Sequence, residues 1–236
     1  MPTIDDGLDI DNLDETSEAE IDSYLTRMWR FRGSLYEVSA NSVWLDTRPD
    51  FAKLHRWGAR LFGRPDPEPM LMMGIANLFS YVHMAWEPGI HNQFRVLQRQ
   101  GLAKAQLMDI VMVAQLSAGM RGLQCVYNAV GTLLPDFQDR PVKPAFPAGW
   151  EVDPDAFRCG LDLSTRELTP HDVHALTDWY VRTMGEVPRS VRFASRYHPM
   201  FLKAQRAKWE SAIRTLPKQV MPYLSATLCS VLMICC

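Results

Sequence analysis

Pro49-Asp50-Phe51-Ala52-Lys53-Leu54-His55-Arg56 returns later in the chain as Pro199-Met200-Phe201-Leu202-Lys203-Ala204-Gln205-Arg206. Pro, Phe, Lys and Arg recur at the same four places, 150 residues apart. Proline suits the first helical position, where its missing N–H is no loss and its φ is already helical. Phe51, Leu54, Trp57, Leu61 and Phe62 then fall at helical spacing. At the same offset Pro67 falls on Pro217, and each opens an apolar helix. The reading is an all-α bundle of two degenerate repeats. The second copy ends at Cys236, opposite Trp86, without a counterpart of residues 87–133. It is therefore expected to be incomplete, leaving the first copy to hold any complete site.

Working outward, Ser17-Glu18-Ala19-Glu20 has capping-box spacing and opens a helix carrying Ile21, Leu25, Met28 and Trp29. Beyond the Pro-rich break at 64–69 comes an apolar helix over about 70–86. Glu87-Pro88-Gly89 interrupts it and starts another, over about 88–100, that closes at Gly101. Residues 103–133 are helical and apolar on more than one side, hence central, with Gly119 and Gly122 marking a junction or a close approach. Five prolines and little periodicity make 135–168 a long connection. Thr169-Pro170 is an N-cap followed by Pro at N1, and further helices are expected over about 199–214 and 217–234. No stretch reads as a strand. The expected organisation is an acidic flexible or strap-like head (1–16), a first repeat with the candidate site (17–134), the connection (135–168) and a second, truncated repeat (169–236).

Composition narrows the function classes. With 236 residues, 47% hydrophobic and 22% charged, the chain has the make-up of a globular protein with a sizeable core. The net charge of −2 is uneven: residues 1–26 carry nine acids and no base. The bases of the remainder are dispersed, without a Lys/Arg tract interleaved with aromatics, so no nucleic-acid partner is expected. The first residues are acidic rather than basic-then-apolar, so no secretory leader is expected. Leu224–Cys236 is shorter than the roughly 20 residues a membrane helix needs, so no membrane partner is expected. Five cysteines without metal-ligand spacing fit a reducing, cytoplasmic setting.

His83, Glu87, His91 and Arg95 lie four apart, a spacing that lines one helix face. Pro88-Gly89 is expected to break that helix, putting Glu87 near an N-cap and His91 and Arg95 one and two turns inside the next. Such a junction can converge on a pocket floored by Tyr81, Trp86, Phe94 and Met120. His91 would move a proton, since imidazole titrates near neutrality. Glu87 would orient it or shuttle a proton, Arg95 or Arg121 would hold a substrate carboxylate, and His83, Tyr81 and Trp86 would contact the substrate. The competing reading makes both histidines satisfied helix-junction residues and Arg95 a solvated surface group. A zinc set of His83, Glu87 and His91 is disfavoured by the Pro-Gly break, so neither metal nor organic cofactor is expected. Cys125, among Leu123, Val126 and Ala129, reads as a buried thiol rather than a nucleophile.

The run from Glu87-x-x-x-His91 through Gly101-Leu102, Gln106-Leu107-Met108-Asp109-Ile110 and Ala118-Gly119-Met120 to Asn128-Ala129 resembles the carboxymuconolactone decarboxylase / alkylhydroperoxidase-D-like (AhpD-like) superfamily. Arg121 stands where that pattern has Pro, and the 121–128 stretch has one cysteine and no His. The paired-cysteine motif of the peroxidase branch is thus missing, and disulfide-cycling peroxidase chemistry is not expected. The resemblance implies a decarboxylase-like enzyme of aromatic compound catabolism. It would act on a small cyclic or lactone-type carboxylic acid and self-associate as a dimer, trimer or hexamer. Two alternatives stay open: a thiol-dependent oxidoreductase or stress protein using Cys125, and a non-catalytic binding or assembly protein.

Overall fold

The computed structural model describes residues 7–32, 43–62, 67–139 and 145–227, with the side chains of 28–32, 59–62 and 67–70 left aside. Met28, Trp29, Leu61, Phe62, Met70 and the expected tail of the last helix beyond residue 227 therefore lie outside what is described. Every regular element among the described residues is helical. They are α1 (Glu18–Arg32), α2 (Pro49–Phe62), α3 (Pro67–Met84), α4 (Glu87–Gln100), α5 (Lys104–Val130), α6 (Pro170–Met184), α7 (Arg189–Tyr197) and α8 (Pro199–Ala212), with short helical turns elsewhere. α7 is missing from the sequence reading; it is only nine residues long and has no side-chain N-cap to mark its start. No described helix is long and apolar enough to cross a membrane.

The chain forms two compact units, residues 1–150 with 219–236, and residues 151–218. This differs from the boundaries drawn on the sequence in two ways. The second unit takes in 151–168, and the first reclaims the chain after 218. The reason for the first difference is local. Arg206 donates to the Phe157 carbonyl at 2.6 Å, the Trp179 indole N–H to the Ala156 carbonyl at 3.2 Å, and the Cys159 amide to Glu210 at 3.1 Å. These bonds fasten the connection to α6 and α8. Val220 and Leu224, in the chain after 218, are both buried.

The first unit is built on α3, α4 and α5, which pack on one another. Leu71, Met72, Ile75, Leu78, Phe79 and Val82 form the helical stripe of α3, and Ile90, Phe94 and Leu97 that of α4. Each fully buried side chain of this size contributes roughly 1.5–3 kcal/mol by leaving water. α4 closes at Gly101, whose left-handed backbone (φ 111°) lets its N–H turn back onto the helix. α5 is kinked at Gly119 (φ 67°, ψ −162°), so it is two helical segments. Three residues on, Gly122 brings α5 onto the end of α3: a Cβ there would lie 2.9 Å from the Val82 carbonyl oxygen.

A second motif occurs once in each unit. Ser17 and Glu20 form the expected capping box, with the Ser17 amide donating to Glu20 at 2.9 Å. The same carboxylate accepts the Asp9 amide at 2.9 Å and lies 3.0 Å from the Lys53 ammonium, which also donates to the Glu15 and Asn12 carbonyls. Residues 7–16 are thereby strapped onto α1 and α2. In the other unit Asp172 accepts the Thr169 amide (2.9 Å), the Asp162 amide (2.8 Å) and the Lys203 ammonium (2.7 Å). Lys203 also donates to the Glu167 carbonyl. Asp9 and Asp162 each accept the amide two residues on, and Arg56 and Arg206 each lie over an aromatic ring, of Tyr24 and Trp179. Both lysines are buried.

Candidate functional site

The junction between α3 and α4 is a tight reversal. Ala85 takes a left-handed backbone (φ 51°), and Trp86 is the N-cap of α4, its ring edge-on to Tyr81 at 4.9 Å. Gly89 fits because a Cβ there would run into the Trp86 ring. With α4 starting at Glu87, Glu87, His91 and Arg95 lie on one helix at i, i+4 and i+8, on its exposed to half-buried side. Glu87 stands in the first turn, where a carboxylate is favoured by the helix dipole.

Glu87 accepts a hydrogen bond from the Asn128 amide at 2.8 Å, and Asn128 in turn accepts one from Gln124 at 3.0 Å. This chain ties the start of α4 to the second segment of α5. Cys125 on that segment is buried. Burial pushes its thiol up, the Glu87 carboxylate adds to the shift, and Arg121 opposes it. His91 is half-buried. Burial first, and the positive charge of Arg95 second, hold its imidazolium below the usual range, so the ring is neutral near pH 7.

Glu87, Arg121, Cys125 and Asn128 therefore form one electrostatic cluster, with His91 and Arg95 one and two turns along α4. Tyr81 and Trp86 pack together at the junction. His83 does not join the α4 stripe. Its Nδ1 lies 2.9 Å from the Phe79 carbonyl and its Nε2 2.6 Å from the Ser117 hydroxyl. Phe94 is not a pocket floor: it is wholly buried and edge-on to Phe137. Met120 projects into solvent, 69% exposed. Among the described residues no three His, Cys, Asp or Glu side chains are grouped to hold a metal. The sequence reading missed the roles of Gln124, Asn128 and Ser117. The four-residue spacing of Gln124 and Asn128 was a signal for the first two; nothing local pointed to Ser117.

No family model, curated protein or solved structure matches the chain.

Proposed function

We propose that the Glu87–His91–Arg95 stripe, with Arg121 and Asn128, carries cofactor-independent acid–base chemistry on a small cyclic or lactone-type carboxylic acid, as in the decarboxylase-like branch of the AhpD-like superfamily. The observation that carries this reading is His91, held neutral by burial and by Arg95 on a helix whose first residue is fixed by Asn128. A substrate carboxylate paired with Arg95 would offset the charge that keeps the ring neutral, so His91 would take up a proton on binding. Loss of CO2 leaves the electron pair of the broken C–C bond on carbon, and the imidazolium returns its proton there. Glu87, anchored through Asn128, orients this exchange. Cys125 weighs against the thiol-dependent alternative, because burial and Glu87 disfavour its thiolate.

The same reading takes the two units as degenerate copies of one helical motif. The matched clasps of Lys53 with Glu20 and Lys203 with Asp172 support it. Self-association belongs to it as well, supported by the exposed Trp44, Phe51, Leu54 and Trp57. The test of function is CO2 release from a panel of aromatic-catabolism lactones and keto acids, with the wild type and His91→Ala. Turnover at least tenfold slower in the variant is expected. Equal rates would remove His91 from the mechanism, and no turnover of any member would sink the decarboxylase reading.

A further inference from the structure

His83 and Ser117 sit where two backbone breaks come together. Two residues after His83, Ala85 has φ 51°; two residues after Ser117, Gly119 has φ 67°. Left-handed backbone at a residue other than glycine is strained and is kept where surrounding structure imposes it. Here the surroundings include the close approach of Gly122 to the Val82 carbonyl, which holds the end of α3 against the kink of α5. Across that contact the Ser117 hydroxyl lies 2.6 Å from His83 Nε2. The other ring nitrogen faces the Phe79 carbonyl at 2.9 Å. A carbonyl only accepts, so Nδ1 carries the proton and Nε2 presents its lone pair to the serine; the Ser117 hydroxyl also lies 3.3 Å from the Ala114 carbonyl of its own helix, but its much shorter contact is the one to Nε2. The ring is further fixed by the Phe79 side chain, 4.5 Å away between centroids.

A hydroxyl donating to an imidazole whose far nitrogen is held by a third group is the arrangement that activates a serine. It lies at a solvent-accessible place: Ser117 is exposed and His83 half-buried. Met84 and Met120, which follow His83 and Ser117 by one and three residues, are exposed apolar side chains.

We propose that Ser117 and His83 form a nucleophile–base dyad that hydrolyses small carboxylic esters with an apolar acyl group. Ser117 Oγ attacks the ester carbonyl carbon and His83 Nε2 takes the hydroxyl proton. The C–O bond to the leaving alcohol breaks, and that alcohol departs with the proton from His83. Water, its proton taken by the same nitrogen, then cleaves the acyl-serine to release the acid and restore the hydroxyl. The overall change is ester plus water to acid plus alcohol. None of these steps uses His91 or Glu87, so the dyad stands or falls separately from the decarboxylation.

The test uses the full chain with a fluorophosphonate probe and p-nitrophenyl acetate, with the modified residue located by peptide mapping. The expected result is a single phosphonylated serine at position 117, lost in Ser117→Ala. Labelling and ester hydrolysis should fall at least 100-fold in His83→Gln and persist in His91→Ala. Ser117→Cys guards against a loss caused by misfolding: iodoacetamide should alkylate residue 117, and more slowly when His83→Gln is added. Absence of labelling in the wild type, labelling that survives Ser117→Ala, or reactivity indifferent to His83 would each overturn the proposal.

Discussion

Lys203 and Asp172 meet at 2.7 Å with both side chains withdrawn from water, 4% and 0% exposed. A buried pair of this kind adds little beyond an apolar replacement, but losing one partner strands the other charge. Lys203→Met should therefore destabilise the protein by about 3–5 kcal/mol in urea unfolding. Adding Asp172→Asn should recover part of that loss. A single variant within about 0.5 kcal/mol of wild type would mean that water reaches the pair.

Acid should open the equivalent clasp in the other unit. Burial works to raise the Glu20 carboxyl, but the Ser17 and Asp9 amides and the Lys53 ammonium outweigh it and hold it at about 2. An unfolded glutamate titrates at about 4.3. The folded value is depressed, so the stabilisation is fully present above the unfolded value and is lost as pH falls towards 2. Asp172 is held well below its usual range in the same direction. Circular dichroism between pH 5 and pH 2 should show stability declining. Lys53→Met should flatten that decline; an unchanged slope would count against the clasp as its source.

Gly119 adopts a backbone that only glycine takes readily, yet nothing lies within 4 Å of the position of an added Cβ. Gly119→Ala should cost about 1–3 kcal/mol from backbone strain alone. It should also lengthen the distance between His83 and Ser117 if α5 straightens. Wild-type stability in the urea midpoint would show that the kink is set elsewhere.

Cys125→Ser should leave CO2 release nearly unchanged and should not abolish a peroxidase cycle, because none is expected. Glu87→Gln keeps an acceptor for Asn128 and removes the charge that raises the Cys125 thiol. Reaction of Cys125 with Ellman's reagent should therefore shift to lower pH in that variant. Thiol-dependent peroxide reduction that disappears in Cys125→Ser would promote the oxidoreductase reading.

Much of this architecture was legible because it obeys helical arithmetic. The α3 and α4 stripes, the N-caps at Ser17 and Thr169 and the stop at Gly101 all follow from residue type and spacing. The match of Gly7-Leu8-Asp9-Ile10 with Gly160-Leu161-Asp162-Leu163 is faint in the sequence, because these residues form a strap with no period and its offset differs from that of α2 and α8. The pairing of His83 with Ser117 was illegible for another reason. It depends on the closeness of the α3 end to the α5 kink, a tertiary contact that spacing along either helix does not encode. Similarly, i, i+4 spacing grouped His83 with Glu87, but the left-handed Ala85 ends the helix between them.

The exposed Phe51 and Phe201 head α2 and α8 with matching register, alongside Trp44, Leu54 and Trp57 in one unit and Phe193, Tyr197 and Met200 in the other. If these faces are covered in solution by further copies of the chain, light scattering at micromolar concentration should give a dimer, trimer or hexamer. Phe51→Glu with Phe201→Glu should shift it towards monomer. A stable 27.0 kDa wild-type monomer would remove self-association from the proposal.

Each clasp also has a history in time. Lys53 reaches carbonyls 38 and 41 residues back along the chain, and Lys203 one 36 residues back, and loops of that length are costly to close before other contacts form. Contacts absent from the folding transition state slow unfolding more than they speed folding. The straps at 7–16 and 162–169 should therefore govern how long the folded chain resists a protease. Lys53→Met is expected to expose the 7–16 segment to cleavage well before the α3–α5 core gives way.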